Sequence, residues 1–373
     1  MSDTRWTELS YGDGDAPAGG PPDVTAESNL AAAMADLEAA RAAGDAARAA
    51  LLADLLGCGG DLVIYAPARD HYGILLGSIP DADHVAVLVP GVGTDTNLRT
   101  QWLPSARNLY EAAESTVVIL WKAYDEPPDL VTAAARTIVC DDDVRIAAGE
   151  LTRFVHALPL QPHQSVTLVA HSFGSIVTGA ALADHGLVCT DVVVAGSPGM
   201  TVDDLRQLHL DDAHFFAEEA PDDPVAELGL FGTEPTSPVF GGTRMRTNAP
   251  GHVEVRTHSE YFVPGSESLD NIVAVVTGRY CMVRVEEPTV AESAGGLVSW
   301  ALRLPTLPIG VIARHYRGPG FRVLVNVRHA ADLTANEAGN AVRDGIDAVG
   351  AALGRIGRLA GIRLPSDAEE DAP

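Results

Sequence analysis

The chain has 373 residues, 46% hydrophobic and 20% charged, with a formal net charge of -26. That length holds one large domain with extensions or two ordinary domains. No uninterrupted apolar run reaches the roughly 18 residues of a membrane span, and acidic groups spread along the chain repel phosphate backbones and anionic lipid. An integral membrane segment and a nucleic-acid partner are therefore not expected.

Residues 1–24 are rich in Gly, Pro and Asp with little to bury, and read as disordered. They lack the basic start and apolar run of a secretory signal, so the expected location is cytoplasmic. Across 25–61, Ala, Leu and charged residues dominate, and Leu30, Met34, Leu37 and Arg41 recur every three or four positions, which predicts one long accessory helix. Over 62–280, β-rich runs alternate with helical stretches. Predicted strands are Leu62 to Tyr65, Gly73 to Ile79, Val85 to Val89, Val117 to Trp121, Val166 to Val169, Val192 to Ala195, His214 to Ala217 and Val253 to Arg256. Predicted helices include Leu98 to Glu114, Ile146 to Leu158 and Phe173 to Asp184. Such alternation, with near-continuous Val/Ile/Leu strands, implies an α/β fold: a mostly parallel, doubly wound sheet covered on both faces.

After Tyr280 the rhythm changes. Residues 281–365 read as a C-terminal accessory or cap segment. It has strand-like runs at Met282 to Val285 and Arg322 to Val327, an apolar stretch broken by Pro305 and Pro308, and a final helix striped by Val342, Ile346, Val349 and Leu353. Residues 366–373 form an acidic tail. Cys58, Cys140, Cys189 and Cys281 lie far apart with no C-x-x-C pair, so each reads as a small buried apolar residue, and no metal site is expected.

A serine acts as a nucleophile when a base takes its proton and a sharp strand-to-helix turn lifts its hydroxyl clear of the backbone, which demands small residues two before and two after it. That pattern occurs at Ser172, Ser197 and Ser293. Ser172, in A-H-S-F-G, has a strand before it and a helical stretch after it. Ser197 is followed by Pro198, which lacks the backbone N–H that an oxyanion hole needs. Ser293 follows no strand and sits in a helix start. Ser172 is the candidate nucleophile.

In an α/β sheet the site lies beyond the carboxyl ends of the strands. Among twelve histidines, His258 alone follows the last predicted core strand, whereas His84, His163, His214 and His252 stand at or before strand starts and His71 lies outside the sheet's second half. The acid should follow His214 to Ala217, where F-F-A-E-E-A-P-D-D-P-V offers Asp222 and Asp223, with Glu218 or Glu219 as further candidates. Pro224 holds Asp223 in an extended conformation, which favours Asp223. The turn P-G-V-G-T-D after Val85 to Val89 would supply the Val92 N–H to join Phe173 N–H in an oxyanion hole, with Gly93 next in line. Tyr124 and Asp125 follow a central strand and could line the substrate pocket; an Asx-type turn before Pro127 explains Asp125 equally well.

With Ser172, Asp223 and His258 in that chain order, residues 62–280 resemble an α/β-hydrolase. More narrowly they resemble an actinobacterial α/β-hydrolase family catalogued as a domain of unknown function. The motifs carrying this are P-G-V-G-T-D (Pro90 to Asp95), W-K-A-Y-D-E-P (Trp121 to Pro127), A-H-S-F-G-S (Ala170 to Ser175), A-G-S-P-G (Ala195 to Gly199) and D-P-V (Asp223 to Val225). The resemblance implies the α/β-hydrolase fold and a Ser-Asp-His triad at those three positions. The expected reaction is cleavage of a small-molecule acyl ester or thioester through an acyl-enzyme, with no cofactor. Transfer of the acyl group to another acceptor, or a non-catalytic binding module on the same scaffold, are the alternatives.

Overall fold

The computed structural model describes residues 25–93, 98–127, 142–210, 215–226, 231–290, 292–294, 298, 302 and 338–344. The chain divides into two compact units, Met1–Thr236 with Phe240–Glu286, and Ser237–Val239 with Glu287–Pro373. The N-terminal 24 residues, His214, Cys140, Arg322 to Val327, most of the apolar stretch and the final helix, and the acidic tail lie outside the described residues.

The first unit is built on one eight-stranded sheet: β1 (Asp61–Ala66), β2 (His71–Leu76), β3 (His84–Val89), β4 (Thr116–Lys122), β5 (Ser165–His171), β6 (Asp191–Ala195), β7 (Phe215–Glu218) and β8 (Thr243–Met245). Their spatial order is β1-β2-β4-β3-β5-β6-β7-β8. β1–β2 and β2–β4 pair antiparallel; every later pair is parallel. The parallel strands are apolar and buried on both faces, as parallel sheets require. The chain leaves β3 for β4 on one side and returns to β5 on the other, so β3 and β5 flank the point where strand order reverses.

Six helices cover the sheet among the described residues of this unit: α1 (Ala26–Ala43), α2 (Ala46–Gly57), α3 (Leu103–Ala112), α4 (Asp142–His156), α5 (Phe173–His185) and α6 (Glu267–Val276). One face packs Val144, Leu151, Phe154, Ile176 and Ala180 of α4 and α5 against Val87, Ile119 and Leu168. The other packs Leu52, Leu55, Leu109, Ile272 and Val275 of α2, α3 and α6 against Ala86, Leu88, Leu120 and Val169. This is the expected doubly wound α/β-hydrolase architecture.

Four sequence expectations change. The single accessory helix over 25–61 is two helices, because Gly44 caps α1 in the left-handed region (φ 73°) and the Asp45 side chain accepts the Arg48 N–H to start α2. α1 also buries Asn29, Ala33, Leu37 and Ala40, leaving Leu30 and Met34 exposed. Asn29 Nδ2 donates to Leu62 O of the edge strand at 2.9 Å, and that bond fixes which face points inward. Val253 to Arg256 is not a strand. β8 lies earlier, at Thr243–Met245, and Val255 is held by the Asn248 side chain, which accepts its N–H and donates to its carbonyl, both at 2.7 Å. A side-chain amide there replaces a neighbouring strand. Met282 to Val285 begins in a 3₁₀ turn and contributes one antiparallel bridge, Val285 to Met245. Cys281 is exposed, unlike Cys58.

Gly44→Ala places a Cβ in open space but in the left-handed region, so the strain alone acts. The expected loss is about 1 kcal/mol in urea denaturation; an unchanged midpoint would show that the α1–α2 turn is not rigid in solution.

Candidate active site

Ser172 stands between β5 and α5 with φ 54° and ψ -126°, a backbone conformation costing roughly 1–2 kcal/mol for a residue with a Cβ. The turn persists because its neighbours approach too closely for anything larger. A Cβ on Gly174 would lie 2.3 Å from Val89 O and 2.6 Å from Pro90 O, and one on Gly91 would lie 2.6 Å from Ser172 Cβ. The turn after β3 therefore sits directly against Ser172. Ser172 is 2% exposed, and its Oγ makes no hydrogen bond among the described residues.

Asp223 follows β7 and is 2% exposed. Its Oδ1 accepts the Val225 and Ala226 N–H groups at 2.9 and 3.4 Å, and its Oδ2 accepts the Tyr261 hydroxyl at 2.6 Å. His258 Nδ1 lies 2.9 and 2.8 Å from the two oxygens. Burial alone would raise the Asp223 pKa, but His258, then Tyr261 and the Val225 N–H, outweigh it and hold the carboxyl below its ordinary value. It is a carboxylate at neutral pH. A Cβ on Gly196 (φ 59°) would meet Asp223 Oδ2 at 2.7 Å and His258 Nδ1 at 2.9 Å, so the end of β6 supports this pair from beneath.

Asp222 points elsewhere. Its Oδ2 accepts Arg256 Nε and Nη2 at 2.8 and 2.7 Å on the surface. Of the other acids considered, Glu219 accepts from Thr236 Oγ1 at 2.7 Å, and Glu218 lies 2.7 Å from Ser268 Oγ. Ser197 Oγ lies 2.7 Å from Ser175 Oγ and accepts the Gly199 N–H, a buried structural pair. Ser293 is helical.

Phe173 N–H opens α5, and Val92 and Gly93 occupy the turn after β3. Tyr124 is 1% exposed and belongs to the core beneath that turn, not to an open pocket wall. Its hydroxyl donates to Pro90 O at 2.5 Å and its ring stacks on Phe173 at 6.2 Å. Asp125 accepts from His71 Nε2 and Arg69 Nη2, both at 2.8 Å, and Arg69 Nη1 lies 3.7 Å from Glu150 Oε1. Burial pushes Glu150 up to about 7, and burial, then Arg69, lower His71.

Three contributors escaped sequence reasoning. His71 lies outside the sheet's second half in sequence, but β2 runs antiparallel, so its start lies on the same sheet edge as the end of β4. His171 stands inside the elbow, directly before Ser172. Its Nε2–H donates to His258 O at 2.6 Å, which fixes the tautomer and fastens the His258 loop to β5. Tyr261 carries no sequence signal beyond its place three residues after His258.

The family model described as Alpha/beta hydrolase matches residues 71–233, from β2 to beyond Asp223 and short of His258. An uncharacterized protein of Mycobacterium tuberculosis is 27% identical over 294 residues, covering 66% of this chain and 44% of the relative. The chain thus spans less than half that relative's length. An uncharacterized protein of Mycobacterium bovis is 30% identical over 220 residues, covering 52% of this chain and 80% of the relative. An alpha-beta serine hydrolase homologue from Coxiella burnetii, a solved structure, aligns at 9% identity with a TM-score of 0.32, over 58% of this chain and 94% of that one. The chain belongs to the alpha/beta hydrolase family. No helix among the described residues is long and apolar enough to cross a membrane.

Burial, then the neighbouring His258, pushes His171 from its ordinary 6.5 down to about 3. The folded chain refuses a proton that the unfolded chain accepts, so stability present above 6.5 is lost as pH falls toward 3. His171→Gln keeps a donor for His258 O without a titrating ring, and its denaturation midpoint should fall less between about pH 6.5 and about pH 4 than the wild type's. Parallel pH profiles would refute the assignment.

Proposed function

We propose that this protein is a serine hydrolase that cleaves carboxylic ester or thioester bonds through an acyl-enzyme, with the chemistry in residues 62–280. One observation carries the reading: a strained serine and a histidine gripped by a buried carboxylate converge on the same edge of the sheet. Ser172 Oγ attacks the acyl carbonyl while His258 Nε2 takes its proton, an alignment that tightens as substrate enters. His258 then returns that proton to the leaving alcohol or thiol, and water, deprotonated by the same nitrogen, releases the acid. Asp223 keeps Nδ1–H directed at itself and offsets the charge on the imidazolium.

The backbone N–H groups of Phe173 and Val92 hold the oxyanion. Tyr124 serves both donors at once, since it ties the turn carrying Val92 through Pro90 O and stacks on Phe173. The likeness to the actinobacterial family catalogued as a domain of unknown function belongs to the same reading and is carried by P-G-V-G-T-D and A-H-S-F-G-S. It adds no substrate.

A fluorophosphonate probe should label the wild type and leave Ser172→Ala blank; equal labelling of both overturns the assignment. On p-nitrophenyl esters Asp223→Asn should lower kcat by about 10³-fold or more. Asp222→Asn loses only a surface ion pair and should stay within about twofold of wild type.

A further inference from the structure

Three buried side chains behind Asp223 take no part in the acyl-transfer steps. Tyr261 donates its hydroxyl to Asp223 Oδ2 at 2.6 Å and accepts the Ala220 N–H at 2.9 Å. Its backbone carbonyl lies 2.8 Å from Ser268 Oγ, which lies 2.7 Å from Glu218 Oε1. None of the three is more than 1% exposed, and Glu218 Oε2 has no hydrogen-bond partner among the described residues. A carboxyl group walled off in this way, with a single hydroxyl for company, is not explained by packing.

We propose that Glu218, Ser268 and Tyr261 form a hydrogen-bonded positioning chain that fixes the Asp223 carboxylate and, through it, the plane of the His258 ring. The proposal rests on the hydrolase reading above and extends it to residues that touch no substrate.

Hydrogen counting sets the direction of the chain. A serine hydroxyl has one hydrogen, and Ser268 Oγ stands between two acceptors. If Glu218 were ionised, Ser268 would have to serve it and leave the Tyr261 carbonyl short. With Glu218 protonated, the acid donates to Ser268 and Ser268 donates to the carbonyl, so both contacts are satisfied. Burial pushes the Glu218 carboxyl well above its ordinary value, which agrees. Burial, then Asp223, likewise raises the Tyr261 phenol far above its ordinary value, so it remains a donor.

The far end of the chain acts on the carboxylate. Backbone N–H groups hold only Oδ1 of Asp223, and the phenol is what holds Oδ2 besides His258 itself. Without the phenol the carboxylate can turn about its Cβ–Cγ bond, and the imidazole turns with it. The titratable groups facing Tyr261 are Asp223, Glu218 and the His171 ring, edge-on at 5.7 Å. His171 is neutral, so Asp223 is the charge the phenol answers.

The test uses the whole chain. Tyr261→Phe should lower kcat on p-nitrophenyl esters about tenfold, with KM within about twofold. It should also move the acid limb of the pH profile to higher pH, because a carboxylate that has lost a donor holds the protonated ring more tightly. For the same reason the His258 Nδ1 proton resonance should move downfield. Glu218→Gln, which keeps a neutral donor, should recover most of the activity that Glu218→Ala loses; circular dichroism at each step reports folding. An unmoved acid limb and resonance in Tyr261→Phe, or a Glu218→Gln protein as impaired as Glu218→Ala, overturns the proposal. The resonance needs no substrate, so it reads the chain even if esters are not turned over. Absence of probe labelling in the wild type sinks the hydrolase reading alone.

Discussion

The parallel register at the carboxyl edge of the sheet brings His171, Ala195, Glu218 and Met245 into one row across β5, β6, β7 and β8. Side chains in register share a face, and in this row two of them are polar and buried. Those two grip the segment that crosses above them: His171 through the carbonyl of His258, and Glu218 through Ser268, which also bonds the carbonyl of Tyr261. The position of the candidate base therefore depends on strand pairing and not on the loop's own preferences. A slip of one residue in β7 would turn Glu218 to the opposite face and release that end of the segment.

Close approach is the companion constraint. Gly91 and Gly196 follow β3 and β6 and Gly174 lies in the first turn of α5, and at each a single methyl group is too large for the space. Their absent side chains let the turn after β3 touch Ser172 and let the Asp223–His258 pair rest on the end of β6. The strained serine is thus the product of packing from both sides. Its cost of roughly 1–2 kcal/mol is small beside the burial of the two apolar layers that hold the elements in place.

Electrostatics separate the site edge into two regions. Around Asp223 one full charge is surrounded by neutral donors, since His171 and Tyr261 are uncharged and Glu218 keeps its proton. Around Asp125 the arrangement is ionic, with Arg69 between Asp125 and the buried Glu150, and His71 completing the group. Neutral surroundings suit a carboxylate meant to face one imidazole, because a second charge nearby would compete for the ring. The cluster at Asp125 joins the start of β2 to the end of β4 and closes the antiparallel corner of the sheet.

Periodicity and punctuation in the sequence determined the α/β class, seven of the eight strands and the strand-to-helix turn at Ser172, and they singled out Asp223 and His258 as candidates. These are local properties: apolar runs of strand length, small residues flanking a turn, and a proline after Asp223. Where the code was non-local, the reading departed from the structure. V-E-V-R alternates like a strand yet is pinned by Asn248, and β8 is too short to announce itself. Asp222 and Asp223 differ little as neighbours in sequence, and only the fold sends one to Arg256 at the surface and the other to His258 in the interior. His71 reached the site edge because β2 runs backwards, and Tyr261, Ser268 and Glu218 meet because sheet register and α6 packing bring together residues 50 positions apart. Strand direction and register are set by pairing between distant segments, and a single sequence carries no direct record of that pairing.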